Sequence, residues 1–449
     1  MRRVFSVLLT LAVLIANAGI LTGKEPNTWS RWRGPLRTGE SPDADPPVKW
    51  SEDSNIRWKK KLPGLGHSSP VVWGDRIFLT SAIPYGPVLP PVPVTAPGAH
   101  DNLDVTRKHR FVVLCYRRST GDLIWQKTVN DLLPHEGGHY TGSLASASPV
   151  TDGKQVYAWF GSHGLFALNF DGKIEWEYKL PRMQSKHAHG EGASFALHDE
   201  TLVLNCDHEH QSFILTINAE TGKTVWKKKR EEVTSWASPL IVVRNDGAQA
   251  VVAGTDRIRA YDLKSGDVVW SCGGLSANVV ATPVASGDIL IAASSYDKRA
   301  MIAINMKGAR GDLTGTDHVL WSTTQRTPYV PSMLLVNDHV WFLRHYQNIL
   351  SRRNIKTGEE SIGPFRLPGI SNMYASPVAA QNRIYITDLD GRTLVFKAGD
   401  QPAFLALNSL DDRFAATPAL VDGDLILRGH EYLYCIAEDK QQKSRSADK

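Results

Sequence analysis

The sequence is short of cysteine, with four in 449 residues: Cys115, Cys206, Cys272 and Cys435, with no CxxC and no adjacent pair. That excludes a zinc ribbon, a thioredoxin-type redox motif and a CxxCH haem attachment. Disulfides stay open, because an even number of cysteines in an exported chain permits pairing without establishing any. Long apolar runs are missing beyond residue 18, so no bilayer-crossing helix is expected in the mature chain. An excess of one charge is missing too. Arg2, Arg3 and the tail KQQKSRSADK (440–449) together supply the whole formal charge of +5. The body between them is neutral and offers no electrostatic footprint for nucleic acid.

What is present begins with MRRVFSVLLTLAVLIANA, a basic start, an apolar stretch and an Ala-x-Ala ending. It reads as a signal peptide over 1–18, which implies export to the periplasm or the cell exterior with no anchor after cleavage. No Cys follows the small residues, so lipid attachment there is not supported. Residues 19–49 read as an N-terminal extension, and 440–449 as a disordered tail.

A Ser or Thr opening an apolar run recurs along the rest, as in SSPVVWGDRIFLT, ASPVTDGKQVYAW, ATPVASGDILIAA and ATPALVDGDLILR. It falls at Ser69, Ser148, Ser194, Ser238, Thr282, Ser332, Ser376 and Thr417, mostly 41–50 residues apart. Each unit holds two apolar runs around a Gly, Asp or Asn turn, then a third strand, then a fourth ending in Trp. Those tryptophans are Trp125, Trp176, Trp226, Trp270 and Trp321, and their place in the repeat assigns them to packing between units. Four short strands at this period make one propeller blade. The expected fold is therefore all-β, an eight-bladed β-propeller over 50–439. The last unit stops at YLYCIAED without a fourth strand, while NIRWKKKL precedes the first unit as a fourth strand alone. Trp58 precedes Ser69 by 11 residues, and Trp226 precedes Ser238 by 12. The N-terminal strand is thus expected to complete the last blade and close the ring. Units six and seven lack the Trp, so less regular outer strands are expected there.

The signatures INAETGKTVW, YDLKSGDVVW and YRRSTGDLIW resemble the tryptophan-docking repeat of quinoprotein-type, or PQQ-like, β-propellers. The opening WSRWRGPLRTGESPDADPPVKW is similar to that of secreted bacterial members of this family. Two branches with known roles share the repeat. One comprises dehydrogenases that use pyrroloquinoline quinone with calcium. The other is the envelope scaffold BamB, a lipoprotein. The chain lacks the adjacent Cys pair over which many of the dehydrogenases place the quinone, and it lacks the lipid-site Cys of BamB. The resemblance implies fold and export more than activity.

In a propeller the loops leading into each first strand share a face with the loops joining second to third strands. That places twelve of the fifteen histidines on one face, with His198, His318 and His339 opposite. KHAHGEGAS (186–194) and CDHEHQS (206–212) are its densest stretches. His67, His139, His189, Glu191, Asp207, His208 and His210 are the candidate ligand-face residues, with His189, Glu191, His208 and His210 the candidate set for a transition metal. Protonated imidazoles binding an anion or a sugar, and plain hydrogen bonding between blades, remain alternatives. The cysteines suit burial as small apolar side chains. A Pro-rich insertion (83–110) rises from the same face in extended form, as a lid, a docking arm or a variable loop. Taken together, the sequence points to a monomeric, exported scaffold that binds a protein, small molecule or sugar. The alternative is a quinone-dependent or metal-assisted enzyme on the same face.

Overall fold

The computed structural model describes residues 28–344, 347–360 and 362–438. Their strands form eight sheets, each an antiparallel meander at its core, arranged as the blades of one ring. Blade 3 shows the pattern: Ala196–His198, Thr201–Cys206, Phe213–Asn218 and Thr224–Lys229 pair in that order. First strands of neighbouring blades touch, so they surround the axis and the fourth strands face outwards. Two short 3-10 turns, Gly161–His163 and Lys186–Ala188, are the helical elements among the described residues. No helix there is long and apolar enough to cross a membrane.

The core lies between blades. Val203, Ile214 and Trp226 of blade 3, for instance, pack on Ile241, Val252 and Tyr261 of blade 4. Both blade faces are thus buried, which explains why the inner strands read as continuous apolar runs. All four cysteines are buried and unpaired.

Ring closure is as the sequence implies. Ile56–Lys61 pairs with Tyr432–Ala437, with Trp58 opposite Cys435 and Lys59 opposite Tyr434. Tryptophan docking runs round the ring. The indole N–H of Trp58 donates to the Arg118 carbonyl, Trp125 to Phe170, Trp176 to Ala219, Trp226 to Leu263 and Trp321 to Ile355, all at 2.7–3.0 Å. Each acceptor sits in the next blade's turn between third and fourth strands. Trp270 departs from this: it is fully buried and donates to Gln249 of its own blade. Blade 5 has an extended connection there instead of the short Gly turn, and its Gly311–Asp312 adds a strand to blade 4.

Units six and seven behave differently from each other. Blade 6 keeps only Phe365–Arg366 as its outer strand, but blade 7 has a full one at Ala403–Ser409. A tryptophan ahead of the first repeat packs against blade 7. Trp50 is buried, stacks on Tyr385 at 6.5 Å, and its backbone N–H donates to Asn408.

The described part of the extension, from residue 28, threads the central channel. Thr28–Trp29 pairs with Val71–Trp73 on the axial edge of blade 1. Inner strands leave a row of free backbone groups facing the axis, which water or another chain segment must satisfy. Here the extension does so. Ser30 accepts from Thr151, Thr38 from Leu335 and Gly39 from Ala379, while Ser41 donates to Ala379. Arg31 donates to the Leu197 carbonyl at 2.9 Å, and Arg33 to those of Pro377, Thr38 and Met333. Burial lowers the Arg33 guanidinium to about 9, and burial with the neighbouring Arg37 lowers Arg31 to about 10. Even so, both stay cationic at neutral pH.

Candidate functional site: an axial cup

The repeat's Ser and Thr hydroxyls have one structural job. The backbone N–H of Ser69 donates to Ser148 Oγ, Ser148 to Ser194, Ser194 to Ser238 and Ser238 to Thr282. Thr282 then donates to Ser332, Ser332 to Ser376 and Ser376 to Thr417. These distances run from 2.9 to 3.1 Å. All eight residues are buried. A hydroxyl that accepts in this way keeps its own proton as a donor.

Seven of these eight residues (Ser238 included, Thr282 not) line a cavity of about 500 Å³ on the face carrying the lead-in loops. Trp32 from the extension also lines it, with its indole N–H 3.4 Å from Thr417 Oγ1. Because the extension fills the channel, the cavity is a cup rather than a pore. One side carries Trp236, Tyr296, Tyr329 and Tyr374, and the other His67, His100, His139, His187 and His189 with Asp101. None of the lining residues is Lys or Arg.

The imidazoles interlock. His100 lies 4.8 Å from His187 and 4.9 Å from His189, ring centre to ring centre, and His139 lies 4.8 Å from His189. His67 and His430 stack, their Nε2 atoms 3.1 Å apart. Burial, with the neighbouring His430 and the Arg428 and Arg413 cations adding to it, lowers His67 to about 3. Burial beside His139 lowers His189 to about 4. Burial lowers His139 as well, so His67, His139 and His189 are neutral imidazoles at pH 7.

The candidate residues divide between two places. His67, His139, His189 and Glu191 line the cup. Glu191, Asp207 and His208 line a small adjoining cleft of about 20 Å³, with His210 beside His208, ring centres 5.9 Å apart. Glu191 accepts from Ser162 N and Oγ at 2.8 and 2.6 Å, and burial raises its carboxyl to about 8, so it is held protonated. Asp207 forms a fully buried ion pair with Arg230 at 2.7 Å and accepts from Ser235. His208 Nδ1 accepts the His210 N–H at 3.2 Å. Among the described residues, no three His, Cys, Asp or Glu side chains are arranged to hold a metal ion as they stand. His345 falls outside the described residues.

Sequence reasoning missed Trp32, Trp236, the tyrosines and the full part played by His100. The insertion does not stand clear of the face. Its base extends the strands Arg76–Tyr85 and Lys108–Arg117, and its tip docks over blades 2 and 3. Asn102 donates to the carbonyls of His187 and Ala188, and Leu103 N–H to Gly138. His100 thereby arrives over the cup from about ninety residues away in sequence. No local pattern announces that approach.

The fold and cup define an eight-bladed propeller with a closed axial pocket. A family model described as outer membrane protein assembly factor BamB matches residues 45–210, 109–362 and 210–446, and the chain belongs to this family of PQQ-like propellers. It is similar in structure to BamB from Moraxella catarrhalis, with a TM-score of 0.53 and 16% identity over 81% of this chain and 97% of that one. It is also similar to a europium-containing methanol dehydrogenase, with a TM-score of 0.62 and 10% identity over 91% of each chain. In sequence it is 28% identical to methanol dehydrogenase [cytochrome c] subunit 1 of Methylobacterium organophilum, over 32% of this chain. That match spans only 24% of the dehydrogenase subunit.

Proposed function

We propose that this protein is an exported, non-catalytic binding scaffold of the bacterial envelope whose axial cup receives an uncharged, hydroxyl-bearing ligand of the saccharide class. One observation carries the reading: a dead-end cup lined by hydroxyls, aromatic faces and imidazoles, with no Lys or Arg among the described residues of its wall. Aromatic rings cover the apolar faces of a sugar, while hydroxyls and imidazoles both donate and accept. Membership of the family whose model is described as BamB is compatible with a binding role.

Pyrroloquinoline quinone with calcium fits this cup poorly. The quinone carries three carboxylates, and the wall offers them no cationic side chain. Calcium needs several oxygen ligands, and of the two carboxylates in the wall, Asp101 and Glu191, Glu191 is already engaged by Ser162. The cysteines are dispersed and buried, so no disulfide platform exists.

Saturation-transfer NMR on the purified chain, against a panel of neutral oligosaccharides, tests the proposal. Saturable binding lost in Trp236→Ala is expected. Saturable binding of the quinone with calcium, accompanied by dye reduction, would overturn it.

A further inference from the structure

We infer that His100, His187 and His189 form a binding site for a divalent first-row transition metal at the rim of the cup, built jointly by the insertion and the loop leading into blade 3. The three rings form a triangle with centres 4.8, 4.9 and 5.4 Å apart. Imidazoles bound to one tetrahedral zinc at about 2.0–2.1 Å through nitrogen place their ring centres about 5 Å apart. The spacing of the rings is therefore that of a three-histidine site.

The tautomers agree. His100 Nδ1 lies 2.8 Å from the Gly98 carbonyl and His187 Nδ1 lies 3.2 Å from that of Pro97. His189 Nε2 lies 3.2 Å from the His100 carbonyl. A carbonyl only accepts, so each of those nitrogens carries the hydrogen. His100 Nε2, His187 Nε2 and His189 Nδ1 are left with lone pairs. Bonding one imidazole nitrogen to a carbonyl while the other stays basic is the arrangement that orients metal-ligating histidines. The lone pairs do not converge as they stand. Bringing them together takes rotation of the rings and releases those three carbonyls to water; His100 is exposed and the other two half-exposed.

The backbone around them is tightly held. His139 N–H donates to the His189 carbonyl and Tyr140 N–H to that of Asp101. Asn102 clamps the carbonyls of both His187 and Ala188. Asp101, His187 and Ala188 all have left-handed φ, at 54°, 55° and 54°. Such strain in non-glycine residues persists only where surrounding contacts enforce it, and it concentrates at functional sites. Imidazole-only donors suit zinc, copper or nickel rather than calcium or magnesium.

The test uses the full mature chain without a polyhistidine tag, dialysed against chelator, titrated calorimetrically with Zn²⁺ and followed spectroscopically with Co²⁺. One ion per chain is expected, with the visible bands of tetrahedral cobalt. His100→Ala and His187→Ala should each weaken zinc binding about tenfold or more, while His210→Ala and His198→Ala leave it unchanged. Absence of zinc binding in the wild type would overturn the site, as would undiminished binding in His100→Gln, which alters only an exposed side chain. Zinc and saccharide binding are measured separately, so either can fail alone.

Discussion

Gly266 lies where the ring of Trp226 docks on the next blade. A Cβ there would stand 2.5 Å from Trp226 Cδ2, and its φ of +72° disfavours any side chain. Gly308 has a similar φ of +69° but open space around it. Gly308→Ala should cost about 1 kcal/mol through backbone strain alone. Gly266→Ala should cost clearly more, about 3 kcal/mol, because the ring must also move. Urea denaturation of the two variants separates strain from docking, and equal losses would deny the docking role. His67 and His163 set an acid limit on stability. Burial lowers His163 to about 3, with His135, His109 and Arg182 adding to it, and His67 behaves alike against His430, Arg428 and Arg413. Both groups are neutral in either state above pH 6.5. Below that, the unfolded chain takes up protons that the folded one refuses, so stability falls as pH drops from about 6.5 towards 3. The urea midpoint should be lower at pH 5 than at pH 7, and His163→Gln should make that drop smaller.

At the scale of the strand, a chain of seven buried bonds to hydroxyls couples each blade to the next from blade 1 to blade 8. Ser194→Ala removes the acceptor for the Ser148 N–H and leaves a buried donor unsatisfied, a cost of about 1–3 kcal/mol. Ser194→Thr keeps the acceptor and should retain most of the stability, since Thr282 and Thr417 serve natively. Thermal melts of the pair test this, and an unstable Thr variant would point to crowding rather than the bond. The repeat's Ser or Thr was legible in the sequence as a mark of period, and the tryptophans as packing groups. The reason for the hydroxyl was not legible, because its partner lies 41 to 79 residues away. The regularity of blade 7's outer strand was not legible either, since Trp50, which packs on Tyr385 and bonds to Asn408 there, lies outside the repeat.

Across the whole molecule, two N-terminal pieces do different work. Ile56–Lys61 closes blade 8, and residues from Thr28 onward seal the channel. A chain starting at residue 50 should keep its far-UV circular dichroism, melt at lower temperature, and gain solvent access along the axis. A chain starting at residue 63 leaves blade 8 with an open edge and Trp58 absent from blade 1, and should fail to melt cooperatively. If both truncations melted like the full chain, neither the seal nor the closure would hold the ring.

The sequence by itself determined the all-β class, the number of blades, the closing strand and the face on which histidines collect. Each of these follows from periodicity and turn chemistry, which act over a few residues and repeat. Only the tertiary structure decided which of those histidines meet. Glu191 read as a metal ligand and Asp207 as a ligand-face residue in sequence, but Ser162 and Arg230 claim them. His100 becomes a neighbour of His189 because an insertion from blade 1 folds across two blades. Contacts of that kind depend on where a loop comes to rest on a finished ring. No local rule of spacing encodes them.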